Sequence, residues 1–151
     1  MAWYKETNSA ADKERILYIL GWMHAEDART VQPDALNSTR AKIVGRAIDL
    51  MWLLQPVKED DAYLLEKIKF ILKCDPRKPD RLGVWADEWL QKRLVRALGR
   101  TGVTQALGSL KNLQEHVDSR GDTKHTIKRK NLEESIKDVI RDLESGERPK
   151  F

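Results

Sequence analysis

The chain has 151 residues, of which 40% are hydrophobic and 34% are charged. This length is typical of one domain and is enough to bury a core, so we expect a single domain over residues 1–151. No apolar run approaches the roughly 20 residues that a membrane-spanning helix requires, which predicts a protein without a membrane partner. Cys74 is the one cysteine and excludes an intramolecular disulfide, and no apolar leader precedes a cleavage site. Together these features predict a cytoplasmic protein.

The net charge of +4 is unevenly distributed along the chain. Residues 1–91 carry 14 Lys and Arg against 15 Asp and Glu, and residues 131–151 carry 4 against 6. Residues 92–130 carry 10 against 3, so this segment holds all of the positive excess. A concentrated basic segment favours an acidic partner, although such segments are also found on ordinary solvated surfaces.

Helical spacing of apolar residues recurs along the chain, and strand patterns are nearly absent. Ser9 and Asp12 have the spacing of a capping box before a first helix near 10–26. A second helix can open at Pro33 or at the cap sequence 37–39, and we favour the later start. The segment 43–54 is apolar on nearly every side, which predicts a central helix surrounded by others.

The remaining helices follow the same logic. Acidic residues 59–61 favour the start of a third helix that ends near Cys74. The Pro-rich loop 75–83 cannot continue a helix and is a connection between two possible halves, 1–75 and 84–146. A fourth helix over 85–102 ends at a glycine stop, a fifth runs over 103–118, and a sixth over 131–145 begins at Asn131. The sequence therefore predicts an all-α fold of about six helices, either an irregular bundle or a short helical array.

Residues 94–102, LVRALGRTG, are followed at once by VTQALGSL. This succession resembles HEAT-type helical repeats, in which a helix ending in ALGxxG leads through a very short turn to a helix containing ALxxL. The resemblance covers residues 86–118 and extends toward 145. It implies a HEAT-like array, and such arrays mostly bind proteins while a few bind nucleic acid. The short turn also predicts that the fourth and fifth helices pack as antiparallel neighbours.

The fourth helix carries a row of aromatic and basic side chains. Steps of four, four, three and four residues separate its members, so they share one side of a helix. In one interpretation the tryptophans edge the core while the arginines cover neighbouring surface; in the other, the row is a contact face for a partner. With the adjacent lysine, the candidate contact residues are Trp85, Trp89, Lys92, Arg93, Arg96 and Arg100.

A second basic element precedes the last helix and contains Lys124, Lys128, Arg129 and Lys130. It is either a charged mobile loop or an arm that binds phosphate groups. No base-reading motif accompanies it, so recognition of a nucleic-acid sequence is not indicated.

Catalytic patterns are missing from the sequence. The three histidines lie on separate elements, Cys74 has no catalytic neighbours, and no metal-ligand spacing or cofactor motif occurs. We therefore predict a non-enzymatic interaction or adaptor protein without cofactor or metal. It binds a protein partner through the Trp/Arg row and a basic C-terminal half, whose charge favours an acidic partner. The alternative is a nucleic-acid-binding subunit that contacts the phosphate backbone. The aromatic residues Tyr18, Trp22 and Tyr63 either complete the N-terminal core or form a self-association surface.

Overall fold

The computed structural model describes residues 1–120 and 126–146. These residues form helices and contain no strand, which confirms the predicted all-α class. All six predicted helices are present, together with two additional short helices, α1 and α3. The α-helices are α1 (Ala2–Glu6), α2 (Ala10–Trp22), α3 (Gln32–Leu36), α4 (Ala41–Leu53), α5 (Lys58–Lys73), α6 (Glu88–Thr101), α7 (Leu107–Asp118) and α8 (Ile127–Ser145). Three 3-10 segments join them: Glu26–Thr30, Pro79–Ala86 and Thr104–Ala106.

Helix α2 begins where the capping sequence predicts. Ser9 is the N-cap, and its hydroxyl oxygen accepts a hydrogen bond from the backbone N–H of Asp12 at 3.2 Å. The helix ends at Trp22, before the predicted end near residue 26. The chain turns at His24, which adopts a left-handed φ of 50° that a continuing helix does not allow.

The start of the second predicted helix is divided between two helices. Pro33 lies in the first turn of the short helix α3, where a missing N–H costs nothing. The long helix α4 begins at Ala41 after the N-cap Arg40, slightly later than the favoured cap sequence 37–39. Both starts recognised in the sequence therefore exist, and each belongs to its own helix.

Helix α4 is the central helix, as predicted. Its side chains Val44, Ile48 and Met51 belong to the larger core cluster, which draws on α4 to α8. Ala47 and Leu50 of the same helix belong to a smaller cluster with α1, α2 and α3. The larger cluster therefore contains side chains from both sides of the Pro-rich loop 75–83.

The C-terminal helices are arranged around α8. Glu88 at the start of α6 contacts Arg129 at the start of α8, so these two helices run in the same direction. Lys111 near the start of α7 pairs with Glu144 at the end of α8, so α7 and α8 are antiparallel. Helices α6 and α7 have few contacts with each other, because α6 packs on α4 and α8 while α7 packs on α8 and α5. Helices α6 and α7 are antiparallel, as predicted, and Arg120 after α7 bonds Glu88 and Gln91 of α6, but the two helices do not pack along their length.

Helix α8 begins earlier than predicted. Its N-cap is Thr126, whose hydroxyl accepts a hydrogen bond from the backbone N–H of Arg129, and the predicted cap Asn131 lies inside the helix. Lys128, Arg129 and Lys130 therefore belong to a helical turn, which contradicts their assignment to a mobile loop. No helix within residues 1–120 and 126–146 is long and apolar enough to cross a membrane.

Candidate functional site

The basic row of α6 lies along α4. Trp89 packs on Gly45, where an added Cβ would lie 2.6 Å from Cη2 of the indole. One turn further along both helices, Arg93 contacts Asp49. Farther on, the Arg100 guanidinium lies over the ring of Trp52. Because these contacts occur in the same order, α4 and α6 run in the same direction and the row is half-buried against α4.

A buried carboxylate anchors the arginines at the centre of this contact. Asp49 is 5% exposed, and its Oδ2 lies 3.4 Å from Nη1 of Arg46. Nη1 of Arg93 lies 3.3 Å from both oxygens of the same carboxylate. Burial raises the pKa of Asp49, while the positive charges of Arg93 and Arg46 oppose that shift. A buried carboxylate needs such partners, so Asp49 fixes both guanidinium groups in place.

Aromatic rings alternate with these arginines. The Arg46 guanidinium lies 4.8 Å from the ring centroid of Tyr18 and 6.0 Å from that of Trp89, and Arg93 lies 4.8 Å from Trp89. Contacts of this kind stabilise by about 0.5–1 kcal/mol each at exposed sites. They connect α2, α4 and α6 into one surface, which we call the aromatic–arginine face: Tyr18, Trp22, Arg46, Trp52, Trp89, Arg93, Arg96 and Arg100.

The α2 edge of this face exposes apolar side chains. Tyr18 is 47% exposed, Ile19 52%, Trp22 58% and Met23 69%. A groove of about 160 Å³ separates Tyr18 and Trp22 from Arg93 on α6. Large apolar side chains exposed together often mark a binding surface. In contrast, Tyr63, which the sequence grouped with these aromatics, packs against the larger core cluster.

Trp85 does not belong to the row. It lies in the 3-10 segment before α6, is buried, and accepts a hydrogen bond from the Gln91 side chain at its backbone oxygen. Helix α6 starts only at Glu88, after the N-cap Asp87, so the four-residue step from Trp85 to Trp89 crosses a non-helical boundary. The prediction that Trp85 shares the contact face is therefore wrong.

The other predicted residues of α6 lie close together. Lys92, Arg93, Arg96 and Arg100 are all half-buried. Burial lowers the pKa of Lys92, the charges of Arg96 and Arg93 lower it further, and the negative charge of Glu134 opposes the shift. Burial and the charge of Arg96 also lower the pKa of Arg100. The row is therefore a cluster of like charges that repel one another.

The second basic element lies elsewhere and is partly paired. Arg129 bonds Glu88 at 3.1 Å, and the Lys128 ammonium lies 4.0 Å from Asp87. Lys128 and Lys130 are exposed. Lys124, the fourth predicted member, lies outside the described residues. The paired members thus contact the acidic first turn of α6 rather than the aromatic–arginine face.

Arg46 and Asp49 were not predicted as residues of the site. They lie three residues apart in the segment 43–54, and all the remaining residues of that segment are uncharged. Buried charges are rarely left unpaired, so two charges in a helix predicted to be surrounded by others were a signal for partners on a neighbouring helix.

The histidines of the described part of the chain bind backbone oxygens. The His24 ring lies 2.7 Å from the carbonyl oxygen of Leu53, and the His116 Nε2 lies 2.9 Å from that of Cys74. Within residues 1–120 and 126–146, no group of three or more His, Cys, Asp or Glu side chains could hold a metal ion.

The fold and the site together define an all-α protein with a half-buried aromatic and basic face between three helices. The chain matches no family model, no curated protein and no solved structure. The resemblance of residues 86–118 to HEAT-type repeats therefore stays a prediction.

Proposed function

We propose that this protein is a non-enzymatic interaction protein that binds an acidic protein partner through the aromatic–arginine face. One observation carries the proposal: the exposed apolar side chains of α2 adjoin the arginines of α4 and α6 across one groove. Tryptophan, tyrosine and arginine contribute most of the binding energy at protein interfaces. An apolar side chain of the partner would pack on Tyr18 and Trp22.

Charge favours an acidic partner for the same face. Lys92, Arg93, Arg96 and Arg100 follow each other on α6, and burial and the like charges within this row lower the pKa of Lys92 and of Arg100. Carboxylates from a partner would relieve the repulsion within this cluster. They would also steer the encounter, because complementary charge mainly raises association rates.

The test is a pull-down with single variants. We expect Trp22→Ala and Arg96→Glu each to lose the same acidic protein, while Lys130→Glu, an exposed charge reversal on α8, retains it. The circular dichroism spectra of all three variants should remain those of a helical protein. The double variant Arg93→Glu with Arg96→Glu should also lose the acidic protein. Its result is less direct, because Arg93→Glu places a second carboxylate beside the buried Asp49. A protein retained by both Trp22→Ala and Arg96→Glu would overturn the proposal.

Binding to nucleic acid is the second candidate, since arginines interleaved with aromatic rings also suit single strands. It requires that affinity fall steeply with salt, in proportion to the phosphates contacted. Fluorescence polarisation with mixed-sequence single- and double-stranded oligonucleotides measures this directly. No binding at low salt would exclude the nucleic-acid candidate, and tight binding that Arg96→Glu abolishes would favour it over the acidic protein.

A further inference from the structure

A second cavity, of about 500 Å³, lies at the start of α6 and shares no residue with the aromatic–arginine face. The start of α8, the end of α7 and the loop before α6 complete its walls. Its apolar wall consists of Pro76, Pro79, Leu82 and Ala86. Cavities of this size with apolar walls and a few converging polar groups are typical of small-molecule sites.

Arginines dominate the polar wall. Arg120 and Arg129 have side chains only 8% and 13% exposed, yet both pair with one oxygen of Glu88, at 3.5 and 3.1 Å. Arg77 lines the same cavity and is exposed at its edge. One carboxylate facing three guanidinium groups leaves a surplus of two positive charges among the lining residues that the structure describes. Such a surplus in a partly buried site favours an anionic ligand.

The remaining polar groups do not cancel the surplus. His116 donates a hydrogen bond from Nε2 to the Cys74 carbonyl oxygen, and burial lowers the pKa of the ring, which favours its neutral form. Gln91 accepts a hydrogen bond from Nη2 of Arg120 at 2.8 Å. Asp75, whose charge acts on His116, is not a lining residue, and it accepts a hydrogen bond from the backbone of Arg77.

Donor groups remain available to a ligand. Nε of Arg129 donates to Glu88, and among the described residues nothing accepts from its two Nη groups. The Nη groups of one guanidinium form a planar fork that matches phosphate oxygens. A phosphate monoester carries a charge of about −1.5 to −2 at neutral pH, which balances the surplus of two better than a single carboxylate does.

We propose that this cavity binds a small organic phosphate monoester. Its phosphate group contacts Arg77 and Arg129, and its apolar part packs on Pro76, Pro79 and Leu82. Arg120 holds Glu88 and Gln91 in place at the inner wall, and so keeps the cavity open beside Arg129.

Isothermal titration with phenyl phosphate tests the proposal, with benzoate and benzyl alcohol as ligands of lower charge and no charge. Ionic strength is matched throughout, because salt screens exposed charges. We expect phenyl phosphate to bind more tightly than benzoate, and benzyl alcohol not to bind. Arg129→Gln should weaken phenyl phosphate binding by about tenfold or more, as loss of a charged hydrogen-bonding partner does.

Arg77→Gln and Lys130→Gln complete the design. Both remove one exposed positive charge, so neither should unfold the chain, and Arg77→Gln keeps the test valid if Arg129→Gln fails to fold. We expect Arg77→Gln to weaken binding severalfold and Lys130→Gln to leave it unchanged. Equal weakening by both variants would show attraction to general surface charge and overturn the proposal, as would the absence of phenyl phosphate binding at millimolar concentration.

Discussion

The substitution Gly45→Ala tests whether Trp89 is fixed against α4. A Cβ at this position would lie 2.6 Å from Cη2 of Trp89, closer than van der Waals contact allows, so the indole or the helix must move. Overpacking of this kind costs about 1–3 kcal/mol. Alanine in a helix interior recovers about 0.5–1 kcal/mol relative to glycine. The expected result is a loss of about 0.5–2 kcal/mol in the free energy of unfolding.

The effect of Gly45→Ala on the free energy of unfolding should change sign when the indole is absent. In a Trp89→Ala background the added methyl meets no ring, so Gly45→Ala should stabilise by about 0.5–1 kcal/mol through helix propensity alone. Urea unfolding of the four proteins of this double-mutant cycle measures the difference. Stabilisation by Gly45→Ala in both backgrounds would refute the close packing of Trp89 on α4, and with it the position of the arginine row.

Three further outcomes are expected. Asp60→Ala should lower the free energy of unfolding in urea by about 3 kcal/mol, because the buried carboxylate pairs with Arg29 at 2.8 Å and caps α5. The control Glu59→Ala, at an exposed neighbouring position, should lower it by less than about 0.5 kcal/mol. Burial lowers the pKa of His116 from 6.5, so the folded state binds fewer protons than the unfolded chain. The free energy of unfolding should therefore fall as pH falls below 6.5, and His116→Gln should remove that slope; an unchanged slope would contradict the reasoning. Trp22→Ala should cost about 1–2 kcal/mol without unfolding the chain, because the ring is 58% exposed but packs edge-on against Tyr18. A dimer that this variant dissolves in light scattering would assign the α2 patch to self-association, whereas a concentration-independent monomer would exclude it.

The start of α2 and the end of α6 were predictable because their signals are local. The Ser9 cap and the glycine stop at Gly102, with its left-handed φ of 69°, act within one turn of chain. The apolar spacing of α4 also predicts its central position correctly, since a helix that is apolar on every side has to be covered on every side. All-α architecture therefore follows from the sequence alone.

The neighbours of each helix were not predictable in the same way. The spacing of the basic row of α6 predicts which side chains share one side of that helix. Which helix packs against that side depends on residues far away in the sequence. Asp49 stands 44 residues before Arg93, and Gly45 makes room for Trp89. Likewise, a short turn after α6 suggested an adjacent α7, whereas α8 packs against both of them. Such choices depend on the combined fit of the apolar faces, which no single segment contains.

Stability and binding are linked on the aromatic–arginine face. Asp49 neutralises part of the charge of Arg46 and Arg93, but the cations of α6 continue through Arg96 to Arg100, where burial and like charge lower the pKa of the last guanidinium. An acidic partner that binds only the folded chain would add negative charge beside this row of cations and stabilise the fold by mass action. The unfolding temperature should therefore rise with partner concentration, and rise less in Arg96→Gln than in the unaltered protein. An equal rise in both proteins would place the binding site on a different surface.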